Sequence, residues 1–408
     1  MNFLDSLAAR RRFGMKPGLD TIVRLCAALG NPQNAVRAIH VAGTNGKGAV
    51  CAILDSFLRA GGFGRVGRYT SPHLIKINER FFIDGKPVED AVLEESAERI
   101  AFCAADIEDL TFFEALSAIA FEVFARKRCD WSVLETGLGG RLDATNICRP
   151  ELCVITRIGL DHCDWLGGSV AEIAAEKAGI IKPGKPVVLG RNADEVRRVV
   201  EARAAESGSP FFYAPDIADE ADIPGDFSLS GGFNRENALT AIAAVRVLFG
   251  DTPLRGFGEV VWPGRFQRAG RFIVDGAHNP PACKALIEAL RREIPLLGEG
   301  GRVNLVAGFC GDKDVDEVLK MLAPFVDRAF AVRTVNPRSL AAAETASKMR
   351  GAGMAAEACT SLSEALDRSG PGTTLVCGSL FLAGEALAEL GAYPWPADRR
   401  DPSELLRR

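Results

Sequence analysis

Residues 38–59 constrain this chain most. An apolar run, Ala38 to Ala42, reads as a buried parallel strand. A glycine-spaced loop follows, Gly43-Thr44-Asn45-Gly46-Lys47-Gly48, and a helical pattern then runs from about Ala49 to Arg59. Strand, glycine-rich loop and helix in that order form the context of a phosphate cradle. Glycines let backbone N–H groups crowd around phosphate oxygens, the helix N-terminus adds partial positive charge, and Lys47 adds a full one. The standard P-loop pattern would want glycine where Val41 stands and Ser or Thr directly after the lysine, where Gly48 stands. The bland alternative is a tight glycine turn; the flanking strand and helix favour the phosphate reading.

At 408 residues the chain is too long for one small core, and two domains are expected, residues 1–252 and 253–408. A net charge of −4 argues against a nucleic-acid surface, which usually shows as a basic domain. No apolar run reaches membrane-spanning length. The N-terminus carries Asp5 and then Arg10-Arg11-Arg12, with no apolar core or cleavage site of a secretory signal, so an opening amphipathic helix in a cytoplasmic protein is expected. The 11 cysteines are scattered and form no C-x-x-C pair, which points to reduced, buried residues. There are only 4 histidines, His40, His73, His162 and His278, and each sits in a motif-like stretch.

Strands alternate with helices along the first 250 residues, the pattern of a doubly wound, mostly parallel α/β sheet. In such sheets active residues lie just past the C-terminal ends of the strands. Ser71 (after Arg65–Tyr69), Glu135 (ending Trp131–Glu135) and His162 (after Leu152–Arg157) all fall there, on separate strands. Composition turns loop-like around Asp251 to Gly258. A second, smaller Rossmann-like α/β alternation follows, its last strand being Thr374–Cys377.

Ser71, Glu135 and His162 offer hydroxyl, carboxylate and imidazole. Oxygen ligands suit Mg²⁺, which keeps waters and nucleotide phosphates in its shell; histidine is less usual for it. Taken singly, Glu135 could equally be a loop-capping acid and His162 a satisfied turn histidine. Lys177, at the end of a helical pattern, reads from its own context as a cation at a helix C-terminus. In the second domain, Pro263-Gly264-Arg265-Phe266 puts an arginine on a stiff turn, and arginine's planar fork suits phosphate oxygens. Asp275-Gly276-Ala277-His278-Asn279-Pro280 puts an acid at a strand end and a histidine just before a helix. The plain alternatives are a surface-turn arginine and a helix cap. The functional expectation is a clamp from the second domain closing over a nucleotide held by the first.

Gly-Thr-Asn-Gly-Lys-Gly, Thr-Ser-Pro-His-Leu, Asn78-Glu79-Arg80, Glu-Thr-Gly-Leu-Gly-Gly-Arg-Leu-Asp-Ala-Thr-Asn, Gly-Leu-Asp-His, Glu-Lys-Ala-Gly-Ile-Ile-Lys-Pro and Asp-Gly-Ala-His-Asn-Pro stand here in order. On these motifs, from about Leu4 to Leu390, the chain resembles the dihydrofolate synthase/folylpolyglutamate synthase branch of the Mur ligases. The resemblance implies an ATP-binding domain of the Mur central type, a C-terminal Mur domain, and ATP-dependent amide formation. A pteroate or folate carboxylate would be joined to L-glutamate through an acyl phosphate.

It also implies residue roles. Gly43, Thr44, Asn45, Gly46, Lys47, Gly48 and Ala49 would hold the phosphates. Ser71 and Glu135 would hold one Mg²⁺; His162 would hold a second beside a carbamylated Lys177, replacing the helix-end reading of that lysine. Asn237 and Asp275 would contact the nucleotide and Arg265 the phosphates. His278 would lie near phosphate and glutamate, with Ser379 at the glutamate site. The pterin would lie near Thr111, Phe113, Asp143 and Ala144. The chain departs from the family where Ala49 replaces Ser or Thr and where Phe233-Asn234 replace His-Gln. A Mur-type ligase of another carboxylate acceptor and a P-loop kinase are the alternatives. Partners are expected to be small molecules, with no nucleic acid or membrane, acting on a monomer.

Overall fold

The computed structural model describes residues 18–293 and 302–395. The expected N-terminal amphipathic helix and the polar tail from Pro396 lie outside the described residues. The chain forms two compact units. The first runs to Ser228 and takes back Asn234–Val260; the second holds Leu229–Phe233 and the chain from Val261.

The first unit is built on eight strands: β1 (Arg37–Ala42), β2 (Val66–Tyr69), β3 (Phe81–Ile83), β4 (Lys86–Pro87), β5 (Trp131–Glu135), β6 (Leu152–Ile155), β7 (Val187–Leu189) and β8 (Phe211–Tyr213). They lie side by side as β4-β3-β2-β5-β1-β6-β7-β8. Six are parallel, and β3 and β4 add an antiparallel edge, joined by a turn at Asp84-Gly85. The interior strands β1, β5 and β6 are buried along nearly their whole length, which is why they read as continuous apolar runs rather than alternating ones. The helix Lys47–Ala60 packs on β1, β2 and β5 and is buried from Gly48 to Leu58.

Two apolar clusters lie side by side on one face of the sheet, where Tyr69, Leu134, His40, Cys153 and Val187 stand in register across five strands. One joins Tyr69 and Phe81 to Leu116, Ile119 and Val123 of the helix Phe112–Arg126. The other joins Ile155, Val187 and Leu189 to Ile173 and Val196 of the helices Val170–Ala178 and Asp194–Glu206. Each such side chain, fully buried, contributes about 1.5–3 kcal/mol.

The second unit is a six-stranded sheet of β9 (Gln267–Ala269), β10 (Phe272–Val274), β11 (Val303–Ala307), β12 (Val326–Ala331), β13 (Ala355–Ala358) and β14 (Thr374–Cys377), ordered β13-β12-β11-β14-β10-β9. Only β9 is antiparallel. All 11 cysteines are free thiols, most of them buried. Among the described residues no helix is long and apolar enough to cross a membrane.

Candidate active site

In the first sheet the chain order reverses at β1, which lies between β5 and β6. Crevices at such reversals, past the strands' carboxyl ends, are where ligands bind in open α/β sheets. The glycine loop leaves β1 there. Register sets Val41 beside Glu135 and Ala42 beside Ile155, so the segments after all three strands emerge together.

The loop's path depends on two glycines. Gly43 has φ 152, and a Cβ there would lie 1.9 Å from Thr156 Oγ1; Gly46 has φ 90, and a Cβ would lie 2.2 Å from Asn237 Oδ1. The backbone N–H groups of Thr44 and Asn45 both donate to Arg157 O, at 2.9 and 3.2 Å, pinning the loop to the segment after β6. Two of its amides are therefore used internally. The helix begins at Lys47 rather than Ala49, because Gly46 takes the left-handed N-cap conformation; no side chain caps it. The first-turn amides of that helix are the groups the fold offers to an anion.

Two lysines converge on one oxygen. Lys47 Nζ donates to Gly43 O at 3.1 Å and to Thr44 O at 3.2 Å, and Lys177 Nζ donates to the same Gly43 O at 2.8 Å. Lys177 is buried, and its pKa falls to about 7: burial is the main cause, the charge of Lys47 adds to it, and Asp161 and Asp143 oppose it. Both lysines line a cleft with Gly43, Thr44, Gly137, Leu138, Asp161, His162 and Leu166. Like charges gathered around one carbonyl are costly unless an anion enters or one of them is neutral. His162 takes a left-handed φ of 53, and its N–H donates to Asp161 Oδ1 at 3.0 Å.

At the neighbouring strand ends, Ser71 N–H donates to Glu135 Oε2 at 3.0 Å, so the expected serine and carboxylate do meet. Glu135 is buried. The segment from Ser71 to Arg80 is wound around Glu79, whose carboxylate accepts the N–H groups of Leu74, Ile75 and Lys76 at 2.6–2.7 Å.

Among the described residues no group of three or more His, Cys, Asp and Glu is placed to hold a metal ion. The expected ligands include only two such residues, Glu135 and His162. The Ser71–Glu135 pair is a hard, oxygen-only donor set that fits Mg²⁺ completed by waters and phosphate oxygens. His162 with Lys177 fits a cation only when the lysine is not itself cationic, and the lowered pKa of Lys177 meets that condition at its upper edge.

The residues expected around the pterin are occupied locally. Thr111 is the N-cap of the helix Phe112–Arg126: Thr111 Oγ1 accepts from Glu114 N, and Glu114 Oε2 accepts from Thr111 N and Oγ1. The Phe113 ring lies where a Gly137 Cβ would sit, 2.3 Å away, and its centroid is 6.2 Å from that of Tyr69. Asp143 accepts four hydrogen bonds, from Gly137 N, Leu138 N, Thr145 N and Thr145 Oγ1, and so organises the loop beside buried Ala144. Asn237, far along the sequence, touches the glycine loop at Gly46. Asn234 is fully buried and accepts from Asn237 Nδ2 at 3.4 Å. Ala49 is buried and offers no hydroxyl.

In the second unit, both oxygens of buried Asp275 accept backbone N–H groups, from Phe266 and Ala277, each at 2.7 Å. That anchors the Pro263–Gln267 turn to the end of β10. Phe266 takes φ 51, uncommon for a bulky residue, and is fully buried, with Phe233 edge-on against it at 6.4 Å. The turn sets the Arg265 guanidinium against Gly276, where a Cβ would lie 2.4 Å from Nη1. His278 Nδ1 lies 2.8 Å from Gly276 O. Ser379 caps the helix Leu380–Glu389, its Oγ accepting from Phe381 N at 3.1 Å. Sequence reasoning passed over Asp161 and Leu138, which line the cleft, and Thr156, which seats against Gly43. Asp161 stood in the Gly-Leu-Asp-His motif and could have been named with His162; nothing local marks Thr156.

A loop that gathers cations at a sheet reversal makes this a nucleotide-phosphate-binding α/β enzyme. The Mur ligase glutamate-ligase domain profile matches residues 264–380. The dihydrofolate synthase/folylpolyglutamate synthase of Bacillus subtilis is 36% identical over 77% of this chain and 80% of its own length. The structure of Escherichia coli FolC in complex with DHPP and ADP superposes with a TM-score of 0.83 at 31% identity, over 96% of this chain and 97% of that one. The Yersinia pestis bifunctional enzyme complexed with AMPPNP and Mn ion gives 0.82 at 30%, over 95% and 97%. The chain belongs to the dihydrofolate synthase/folylpolyglutamate synthase family of Mur ligases.

Proposed function

We propose that the protein joins the amine of L-glutamate to the carboxylate of dihydropteroate, or to the glutamyl tail of reduced folates, at the expense of ATP. The observation that carries this reading is the convergence of Lys47 and Lys177 on Gly43 O in a cleft open to a phosphate, in a chain of this family.

The chemistry explains why such a site is needed. An amine cannot displace oxide from a carboxylate at neutral pH. The acceptor carboxylate oxygen attacks the γ-phosphorus, ADP leaves, and an acyl phosphate results. The glutamate nitrogen, as a neutral amine, then attacks the acyl carbon and gives up one proton, phosphate departs, and the secondary amide keeps its N–H. Negative charge accumulates on phosphate oxygens in both steps, and preorganised cations stabilise it. Lys47 and the first-turn amides from Lys47 to Ala49 take the β- and γ-phosphates. Asn237 and Asp275 face the nucleotide, Arg265 supplies a further charge on the phosphates, and His278 and Ser379 serve the incoming glutamate. Thr111, Phe113, Asp143 and Ala144 border the pterin, Asp143 chiefly by holding its loop.

Mg²⁺, held by Ser71 and Glu135 and in a second place by His162 and Lys177, would neutralise phosphate charge when bound. For that role Lys177 acts as a carbamate: its neutral amine attacks the carbon of CO₂, the N–H proton leaves, and a two-oxygen anion replaces a cation. A pKa near 7 supplies the neutral amine. The protein acts on small molecules as a monomer, and its net charge of −4 gives no attraction to nucleic acid.

Mass spectrometry of the acceptor is the test. Purified protein with ATP, Mg²⁺, dihydropteroate and glutamate is expected to raise the acceptor mass by one glutamyl residue per ADP formed. An unchanged acceptor, or one carrying a stable phosphate, would overturn the assignment.

A further inference from the structure

The loop after β5 meets the side chain of a residue in the central strand β1 at a buried point. His40 of β1 is fully buried, and its Nε2 lies 2.8 Å from Thr145 Oγ1. Thr145, also fully buried, donates that hydroxyl to Asp143 Oδ1 at 2.5 Å and its backbone N–H to the same oxygen at 3.0 Å. The other carboxylate oxygen accepts the N–H groups of Gly137 and Leu138 at 2.8 and 2.9 Å. Gly137 and Leu138 form one wall of the cleft that holds Lys47 and Lys177. An unbroken chain of hydrogen bonds therefore runs from the middle of the core strand to the cleft wall.

Counting protons gives the chain its direction. A hydroxyl has one proton to give. Thr145 gives it to Asp143, so Oγ1 can only accept from His40, which must then carry its own proton on Nε2. That leaves Nδ1 as a bare acceptor, and Nδ1 is the buried ring atom without a hydrogen-bond partner. The reverse order would orphan a buried N–H, the rarer of the two defects. Burial, aided by the charge of Lys182, lowers the pKa of His40 to about 3, so the ring is neutral at physiological pH.

We propose that His40 and Thr145 are positioning residues for the ligase reaction: His40, protonated on Nε2, locks the Thr145 hydroxyl onto Asp143, and Asp143 thereby fixes the Gly137–Leu138 wall of the phosphate cleft. The kinetic consequence rests on the ligase reading; the hydrogen-bond order does not. Packing alone would need an apolar side chain at position 40, and a buried imidazole with one orphaned nitrogen is a poor choice for that.

With only 4 histidines, ¹⁵N-histidine labelling of the full chain gives a readable spectrum, and His40→Gln identifies the His40 signals. The expected result is a neutral Nε2–H ring between pH 5.5 and 8.5. An Nδ1–H ring, or a titration within that range, overturns the proposal. Thr145→Val removes the hydroxyl at nearly constant shape, and Thr145→Ser restores it. In Thr145→Val, kcat/KM and affinity for the ATP analogue AMPPNP are expected to fall about 10- to 100-fold, the scale for losing an outer-shell partner, while Thr145→Ser stays near wild type. A lower Tm in Thr145→Val with unchanged kcat, KM and AMPPNP affinity would show packing alone and overturn the idea.

Should Thr145→Val not fold, the histidine pair decides. His40→Gln can still donate to Thr145 and is expected to keep its activity; His40→Leu cannot and is expected to lose it; equal activity in the two overturns the proposal. A wild-type protein without glutamate-dependent turnover would sink the ligase reading, and the tautomer and AMPPNP measurements would still decide this one.

Discussion

Lys177 shows how one residue's environment sets its chemistry. Its pKa lies at about 7 in the folded protein and near 10.5 in the unfolded chain. Between those values the unfolded state binds more protons, so stability rises with pH; below about 7 the full cost of the buried ammonium is present. In metal-free protein, urea unfolding should show wild type gaining up to about 1.4 kcal/mol per pH unit over Lys177→Met across that window. Parallel curves for the two proteins would place the lysine in water. Gly46 is the steric counterpart. Gly46→Ala sets a Cβ 2.2 Å from Asn237 Oδ1 at φ 90, whereas Gly62→Ala, at φ 74, meets nothing within 4 Å. Both carry left-handed strain of about 1–2 kcal/mol, but only Gly46→Ala should abolish AMPPNP binding in a calorimetric titration. Loss in both, or in neither, would deny the loop its role. Lys47→Ala and Arg265→Ala are each expected to cut turnover by roughly 10² or more, the scale of one charge-stabilising group; near wild-type rates in both would discredit the charge-gathering account.

At the scale of elements, caps and short carboxylate bridges hold the site's scaffolding. Thr111→Ala removes the capping box of the helix Phe112–Arg126 and should cost about 1 kcal/mol in urea unfolding. A KM for dihydropteroate that rises as well would add a substrate contact to the cap; a variant as stable as wild type would contradict the geometry. The elements also show what a sequence discloses. The buried strands β1, β5 and β6 were legible because both faces are covered, so each is an uninterrupted apolar run ending at a motif. Three edge or near-edge strands were not: β8, β9 and β13 are three or four residues long, and β13, Ala-Ala-Glu-Ala, is mostly exposed with no alternation. The candidate residues Ser71, Glu135 and His162 were picked from their position past the ends of β2, β5 and β6. The seating of Gly43 on Thr156, and of Lys177 on a carbonyl 134 residues away, depends on long-range packing that no local pattern encodes. The family resemblance implies a substrate contact at Asp143, and its four donors make it first an organiser of its own loop.

For the whole molecule, the two α/β units share a construction, a mostly parallel sheet, but carry different side chains past their strand ends: Lys47, Lys177 and Glu135 in the first, Arg265 and His278 beside Asp275 in the second. If the protein is the ligase proposed, a triphosphate is consumed only to activate an acid for an amine. An omission series on the purified protein checks this: ADP formation with ATP, Mg²⁺, dihydropteroate and L-glutamate, then with each left out in turn. ADP is expected to accumulate steadily only in the complete mixture. Sustained ADP formation without glutamate would contradict the account.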